Sequence, residues 1–144
     1  MSTQTFANHR QVVPAFHLIM LPVLLLTLIG SVVNLVMSWG DHERLYSAAL
    51  IIVLTICLMM TAILGRVFAL KAQDRAIRAE ENLRHFVMTG KLLDPRLGIR
   101  QVIGLRFAPD GEFVALAQRA ADKGMTESEI KKAVNHWRAD EYRA

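Results

Sequence analysis

The chain has 144 residues, of which 53% are apolar, with a single cysteine and a formal net charge of +4. This length allows one domain, or a membrane part with a small soluble part, and one cysteine excludes an intramolecular disulfide. The charges are unevenly placed, since 15 of the 17 Lys and Arg residues and 11 of the 13 Asp and Glu residues follow residue 65. The positive excess is mild for a nucleic-acid-binding protein and suits a segment beside an anionic membrane surface.

The first apolar stretch follows a polar segment of 11 residues, and no charged residue occurs between Gln11 and Gly40. A hydrocarbon core about 30 Å thick needs roughly 20 apolar residues of helix, so we predict a membrane helix from about Val13 to Trp39. The stretch is too long for a cleavable signal peptide, so we expect the helix to be retained. Pro22 cannot donate a backbone hydrogen bond to Leu18, which predicts a kink at Leu18–Leu21.

One face of this predicted helix carries small and polar residues at spacings of three and four. In lipid, small residues allow close approach of helix backbones, and Asn or Ser side chains can hydrogen-bond between helices. We therefore predict that this face packs on the neighbouring helix or on a second copy of the chain. A small transporter or channel subunit, with an oligomeric pore around Asn34 and Ser38, is an alternative. The helix-packing candidates on this face are Thr27, Gly30, Ser31 and Asn34.

The second apolar stretch, Leu45–Gly65, follows a connection so short that the two helices must form an antiparallel hairpin. No proline interrupts the charged sequence that follows to about Phe86. We predict one helix that starts in the bilayer, continues into water and ends near Thr89, where Gly90 follows. The connection has one basic residue and the C-terminal flank has four, so both termini should be cytoplasmic and the connection outside.

A 3-4 repeat of small and apolar residues runs along this second helix and predicts a packing seam. The seam can join two copies of the chain, or it can pack on the first helix and then on the C-terminal part. For the C-terminal part we predict contacts with Leu83, Phe86 and Val87. The complete repeat is Ala48, Ile51, Thr55, Leu58, Ala62, Gly65, Ala69, Ala72, Ala76, Ala79, Leu83 and Phe86, of which we select Ala62, Gly65, Ala69, Ala72, Ala76 and Ala79 as helix-packing candidates.

The C-terminal sequence predicts three short helices, at about 96–107, at about 111–123 and from Thr126 onward. Gly124 suits a helix C-cap, and Thr126 with Glu129 forms a capping box. The predicted fold class is all-α, with a transmembrane hairpin whose second helix continues into the cytoplasm. The predicted parts are an N-terminal segment at 1–11, the hairpin at 12–69, a connector helix at 70–90 and a small helical module at 91–144.

No catalytic chemistry is apparent in the sequence. It contains no phosphate-binding loop, nucleophile elbow or zinc motif, and its five histidines lie in different regions. Asp41, His42 and Glu43 are adjacent on a turn and converge poorly on one ion. We therefore predict no enzyme activity, catalytic residue, metal or cofactor.

Basic residues near the C-terminus give an alternative function, a membrane-tethered protein that binds nucleic acid or a lipid surface. The helix–turn–helix outline is weak because acidic residues dilute the charge, so we do not expect nucleic acid as a partner. The surface-binding candidates are Lys131, Lys132, Arg138 and Arg143.

The segments FANHRQVVPAFH, ALKAQDRAIRAEENLR and KKAVNHWRAD, with the two apolar helices, resemble an uncharacterised family of small bacterial membrane proteins known by a domain-of-unknown-function label. The resemblance implies a two-helix membrane protein with a cytoplasmic tail and supplies no activity or site residues. Our interpretation is a multi-pass protein of the inner (plasma) membrane, with the lipid bilayer as its first partner. We expect a non-enzymatic scaffold or modulator of a membrane partner or of a homo-oligomer.

Overall fold

The computed structural model describes residues 5–6 and 12–139 of the chain. All regular structure in these residues is helical, which confirms the all-α prediction. The chain forms two compact units, Val12–Ala69 and a second unit of Met1–Gln11 with Leu70–Ala144. The predicted connector helix and C-terminal module therefore belong to one unit.

The first helix begins with a π-helical turn, Ala15–Met20, and continues as α1, Leu21–Met37. In the π turn the N–H of Leu21 donates to the carbonyl of Phe16, five residues back. The turn lies directly before Pro22, whose missing N–H and bulky ring disturb the preceding α-helical bonds. The distortion predicted at Leu18–Leu21 takes the form of this wider turn.

The second helix, α2, is unbroken from His42 to Thr89, as predicted. The turn before it uses Gly40 at a φ of +98°, and the Asp41 carboxylate accepts the N–H of Arg44 at 3.2 Å, which caps the helix start. After Thr89, Gly90 adopts a φ of +73° and donates its N–H to the carbonyl of Phe86 at 2.7 Å. The glycine can take this left-handed conformation without a Cβ clash, so the helix ends there.

In the unit Val12–Ala69, small side chains are buried and large apolar side chains are exposed. Ser31 of α1, Ser38 directly after α1, and Ala48 and Thr55 of α2 are each at most 6% exposed. These two helices make up the unit, so the small residues are covered where the helices meet, which small side chains permit in an antiparallel hairpin. The large exposed residues include Leu18, Leu26, Val36, Val53, Leu54 and Met60.

The second unit contains three short helices, α3 (Ile99–Leu105), α4 (Asp110–Lys123) and α5 (Glu127–Ala133), together with the last part of α2. Apolar side chains from all four helices and their connections form one core. Its largest fully buried side chains are Leu97, Val102, Leu105, Phe113 and Ile130, and α2 contributes Ile77.

The ends of these helices follow the local sequence chemistry. Gly124 ends α4 in the left-handed conformation, and Thr126 and Glu129 form the predicted capping box at the start of α5. However, α5 ends at Ala133, because Val134 is extended. Trp137 is therefore beyond the helix, and its ring packs on Phe107 with 4.7 Å between ring centroids.

Candidate functional site

The side of α2 that packs on the short helices differs from the predicted one. Ile77 and Glu81 are only 7% and 6% exposed, whereas Leu83, Phe86 and Val87 are 63%, 50% and 76% exposed. The predicted contact through Leu83, Phe86 and Val87 is therefore wrong. In this part of α2 the 3-4 pattern follows the exposed side of the helix, and the packed side is the one that carries Ile77, Glu81 and Arg84.

Arg84 is the centre of a charged cluster on this packed side of α2. Its guanidinium donates to the Glu81 carboxylate at 3.0 Å, to the Asp110 carboxylate at 2.8 Å and to the Ala108 carbonyl at 2.9 Å. It also lies over the ring of Phe113, at 4.2 Å from the centroid. Arg84 thus joins α2 to the start of α4 and neutralises the buried carboxylate of Glu81.

Asp110 is the first residue of α4, where a negative charge also favours the helix dipole. The hydrogen bond from Arg84 holds the pKa of the Asp110 carboxyl below its ordinary value. The carboxylate therefore stays ionised at neutral pH and keeps its bond to Arg84.

An open cleft of about 560 Å³ lies beside this cluster. Three acidic side chains and two arginines line it, and Arg84 is already bonded to two of the acidic ones. Because these opposite charges lie close together, the cleft does not present a surface of a single charge to a charged ligand. The lining residues are Glu80, Glu81, Arg84, Pro109, Asp110 and Arg138.

A second carboxylate, Glu112 of α4, holds the segment after α5. It accepts the backbone N–H of Asn135 at 2.9 Å and that of His136 at 3.2 Å, and it lies 2.9 Å from the His136 Nδ1 atom. The Asn135 N–H, followed by the His136 side chain, lowers the pKa of the Glu112 carboxyl. Glu112 thus fixes the end of the described chain against α4.

The structure changes the set of basic surface candidates. Lys131 is only 8% exposed, because its ammonium pairs with Glu127 at 2.6 Å and lies over the Phe107 ring, so its selection as a surface-binding residue is wrong. Lys132 is exposed and lies 5.6 Å from the centroid of the Phe6 ring. Arg138 is exposed, and its backbone N–H donates to the Phe107 carbonyl. Arg143 lies outside the described residues.

Sequence reasoning missed Glu81, Arg84, Asp110 and Glu112. Asp110 is 26 residues from Arg84, so no local spacing indicates their contact. One signal was available in the sequence. Ile77, Glu81 and Arg84 are spaced by four and three residues, so an apolar residue and two opposite charges share one face of the helix.

The helix-packing candidates divide into buried and open positions. Ser31 is buried, and Ala62 is half-buried. The Thr27 hydroxyl is exposed and donates to the carbonyl of Val23 in its own helix. The positions that are exposed in the single chain are Gly30, Asn34, Gly65, Ala69, Ala72, Ala76 and Ala79. Whether these positions contact a second copy stays a prediction.

Five of the exposed residues follow one another along the part of α2 that lies in the second unit. Two are large and apolar, and three are alanines. They recur at spacings of four and three, so they share one face of the helix. We call this face the exposed seam, defined as Ala72, Ala76, Ala79, Leu83 and Phe86.

Among the residues that the structure describes, no three His, Cys, Asp or Glu side chains come together as a metal-binding group. Two helices of this part of the chain, Ala15–Met37 and His42–Thr89, are long and apolar enough to cross a membrane.

One family model matches the chain, and it covers residues 1–144. The family is DUF6526, which is described as a family of unknown function. No curated protein and no solved structure matches the chain.

Proposed function

The chain belongs to this family of unknown function, and we propose that it is a two-span integral membrane protein that acts as a non-enzymatic scaffold. Both spans lie in the inner (plasma) membrane, and both termini are cytoplasmic. The helical unit after residue 69 is presented to a membrane partner or to a second copy of the chain.

The observation that carries this proposal is the exposure of the two apolar helices. Their most apolar windows have mean hydropathies of 2.4 and 2.6, yet only 6% and 11% of the residues in these windows are buried. A core helix of a soluble protein would be largely buried against its own chain. Lipid acyl chains are the solvent in which such all-round apolar helices are stable.

The orientation is supported by the placement of basic residues. The turn between the spans has only Arg44, which pairs with Asp41 at 3.3 Å. Beyond the second span, Arg66, Lys71 and Arg75 follow within ten residues. Because Lys and Arg near the ends of spans favour the cytoplasmic side, the second end of α2 should lie inside.

The hydrogen bonds and ion pairs that polar side chains form within the chain favour the scaffold over the alternative functions. The ion pair of Lys131 with Glu127 removes one cation from a surface that would bind lipid headgroups or nucleic acid. The hydroxyl of Ser38 is buried and donates to the carbonyl of Asn34, so it offers little to a transported ion. Neither observation favours the membrane-tethered binder or the channel subunit.

Labelling of single cysteines in membrane vesicles tests the proposal. In a Cys57→Ser chain, His42→Cys marks the turn, and Lys123→Cys marks the end of α4; both positions are exposed. A membrane-impermeant maleimide should label His42→Cys in right-side-out vesicles and Lys123→Cys in inverted vesicles, and alkaline carbonate should leave the protein in the membrane pellet. Release by carbonate would refute membrane insertion, and the opposite labelling pattern would refute the orientation.

A further inference from the structure

The exposed seam leaves half or more of the surface of two large apolar side chains uncovered in the second unit. Leu83 and Phe86 are 63% and 50% exposed, although other apolar residues of the same unit are completely buried. The covered side of α2 is elsewhere, at Ile77, Glu81 and Arg84. At 100° per residue, Glu81 points about 180° away from the mean direction of the exposed seam. The short helices therefore leave the seam accessible.

The charges beside the exposed seam indicate what covers it. With Ala76 and Leu83 as heptad positions a, and Ala79 and Phe86 as positions d, Arg75 takes position g and Glu80 takes the following position e. In a parallel two-stranded coiled coil, g of one helix lies beside the next e of its partner. Arg75 of one copy would therefore meet Glu80 of the other, twice in a symmetric dimer. An antiparallel pair would place g beside g and e beside e, so these charges would not meet.

Both charges are available for such a contact. Arg75 and Glu80 are exposed, and neither forms an ion pair within the described residues. The neighbouring flanking positions are uncharged, with Gln73 and Val87 at position e and Asn82 at position g, so no like charges oppose one another. The alanines allow the two backbones to approach closely, and Leu83 and Phe86 supply the larger apolar contacts.

We propose that a second copy of this chain docks in parallel on the exposed seam, with Arg75 of each copy paired to Glu80 of the other. The direction rests on the proposed function, because two copies inserted alike in one membrane have their α2 helices running the same way. Confinement to the membrane also raises the effective concentration of one copy near the other, so a short seam rich in alanine is enough to hold the dimer.

Disulfide formation in native membranes tests this docking. In the Cys57→Ser chain, Ala79→Cys lies on the exposed seam, and Arg78→Cys, one residue away and also exposed, is the matched control. Mild oxidation should give a band of twice the chain mass for Ala79→Cys, about tenfold more than for Arg78→Cys, because a disulfide needs Cα atoms within roughly 7 Å. Equal yields, no cross-link, or an adduct of another mass would overturn the proposal.

Exchange of the flanking charges tests the register. In the Ala79→Cys chain, Arg75→Glu or Glu80→Arg alone should lower the dimer yield about tenfold, since each replaces two attractive pairs by two repulsive ones. The double variant with both exchanges should restore the yield. Failure of the double variant to restore it would refute the Arg75–Glu80 pairing.

Carbonate extraction of the same membranes separates the two proposals. If the protein stays in the pellet and Ala79→Cys does not cross-link, the dimer is refuted and the membrane insertion stands. If carbonate releases the protein, the membrane insertion fails, and the reason for a parallel direction fails with it.

Discussion

At Gly104, α3 packs closely on α5, and Gly104→Ala is a sharp test of that packing. A Cβ at this position would lie 3.2 Å from the carbonyl oxygen of Glu127 and 3.2 Å from the Cγ2 atom of Ile130. In an open helix, Gly→Ala is stabilising by about 1 kcal/mol. Here α5 must move, and crowding a packed core costs roughly 1–3 kcal/mol. We expect a net loss on the order of 1 kcal/mol in the free energy of unfolding.

Gly111→Ala is the matched control, because Gly111 also lies in a helix and no atom is within 4 Å of its would-be Cβ. The assay is thermal unfolding of the full chain in detergent, followed by the fluorescence of Trp137 in a Trp39→Phe background. A net loss of about 1 kcal/mol lowers Tm by about 4–8 °C in a domain of this size. Gly111→Ala should leave Tm unchanged or raise it. An unchanged or higher Tm for Gly104→Ala would refute the close packing of α3 on α5.

The charged contacts of the same unit give two further predictions. Arg84→Met should lower the free energy of unfolding by about 3–5 kcal/mol, because Glu81 is left as a buried, unpaired carboxylate. Arg78→Met, at an exposed position, should have little effect. Equal urea midpoints of unfolding for the two variants would contradict this prediction. Hydrogen bonds from Arg96 lower the pKa of Asp94 to about 2, so this contact stabilises the fold above the ordinary carboxyl pKa and is lost as the pH falls toward 2. Asp94→Asn should therefore lower Tm near neutral pH, the difference in Tm should shrink as the pH falls from about 4 toward 2, and a pH-independent difference would argue against the contact.

Helix ends could be predicted because their chemistry is local. Gly90 and Gly124 terminate α2 and α4 in the left-handed conformation, and the Thr126–Glu129 capping box starts α5. Each feature involves residues within four positions of one another, so the sequence contains all the information that decides it. The hairpin could likewise be predicted from two long uncharged stretches and a short turn.

Contacts between distant segments could not be predicted in this way. Lys131 looked like a surface cation because charged residues are rarely buried. In the structure its ammonium pairs with Glu127 one turn earlier and lies over the ring of Phe107, which is 24 residues away in sequence. The Arg84–Asp110 contact has the same origin, since the chain must turn through α3 before the two side chains meet.

The misassigned face of α2 has a physical cause that bears on what the protein does. Sequence reasoning gives apolar residues to the interior and charges to the solvent, so it placed Leu83 and Phe86 against the short helices. The structure reverses this, because Glu81 and Arg84 neutralise each other on the packed side, while Leu83 and Phe86 are exposed. Apolar surface that is exposed to water is unfavourable in proportion to its area. This arrangement of α2 is therefore more stable when something other than water covers Leu83 and Phe86. The same helix thus carries two faces, one bonded to its own chain and one suited to a second copy.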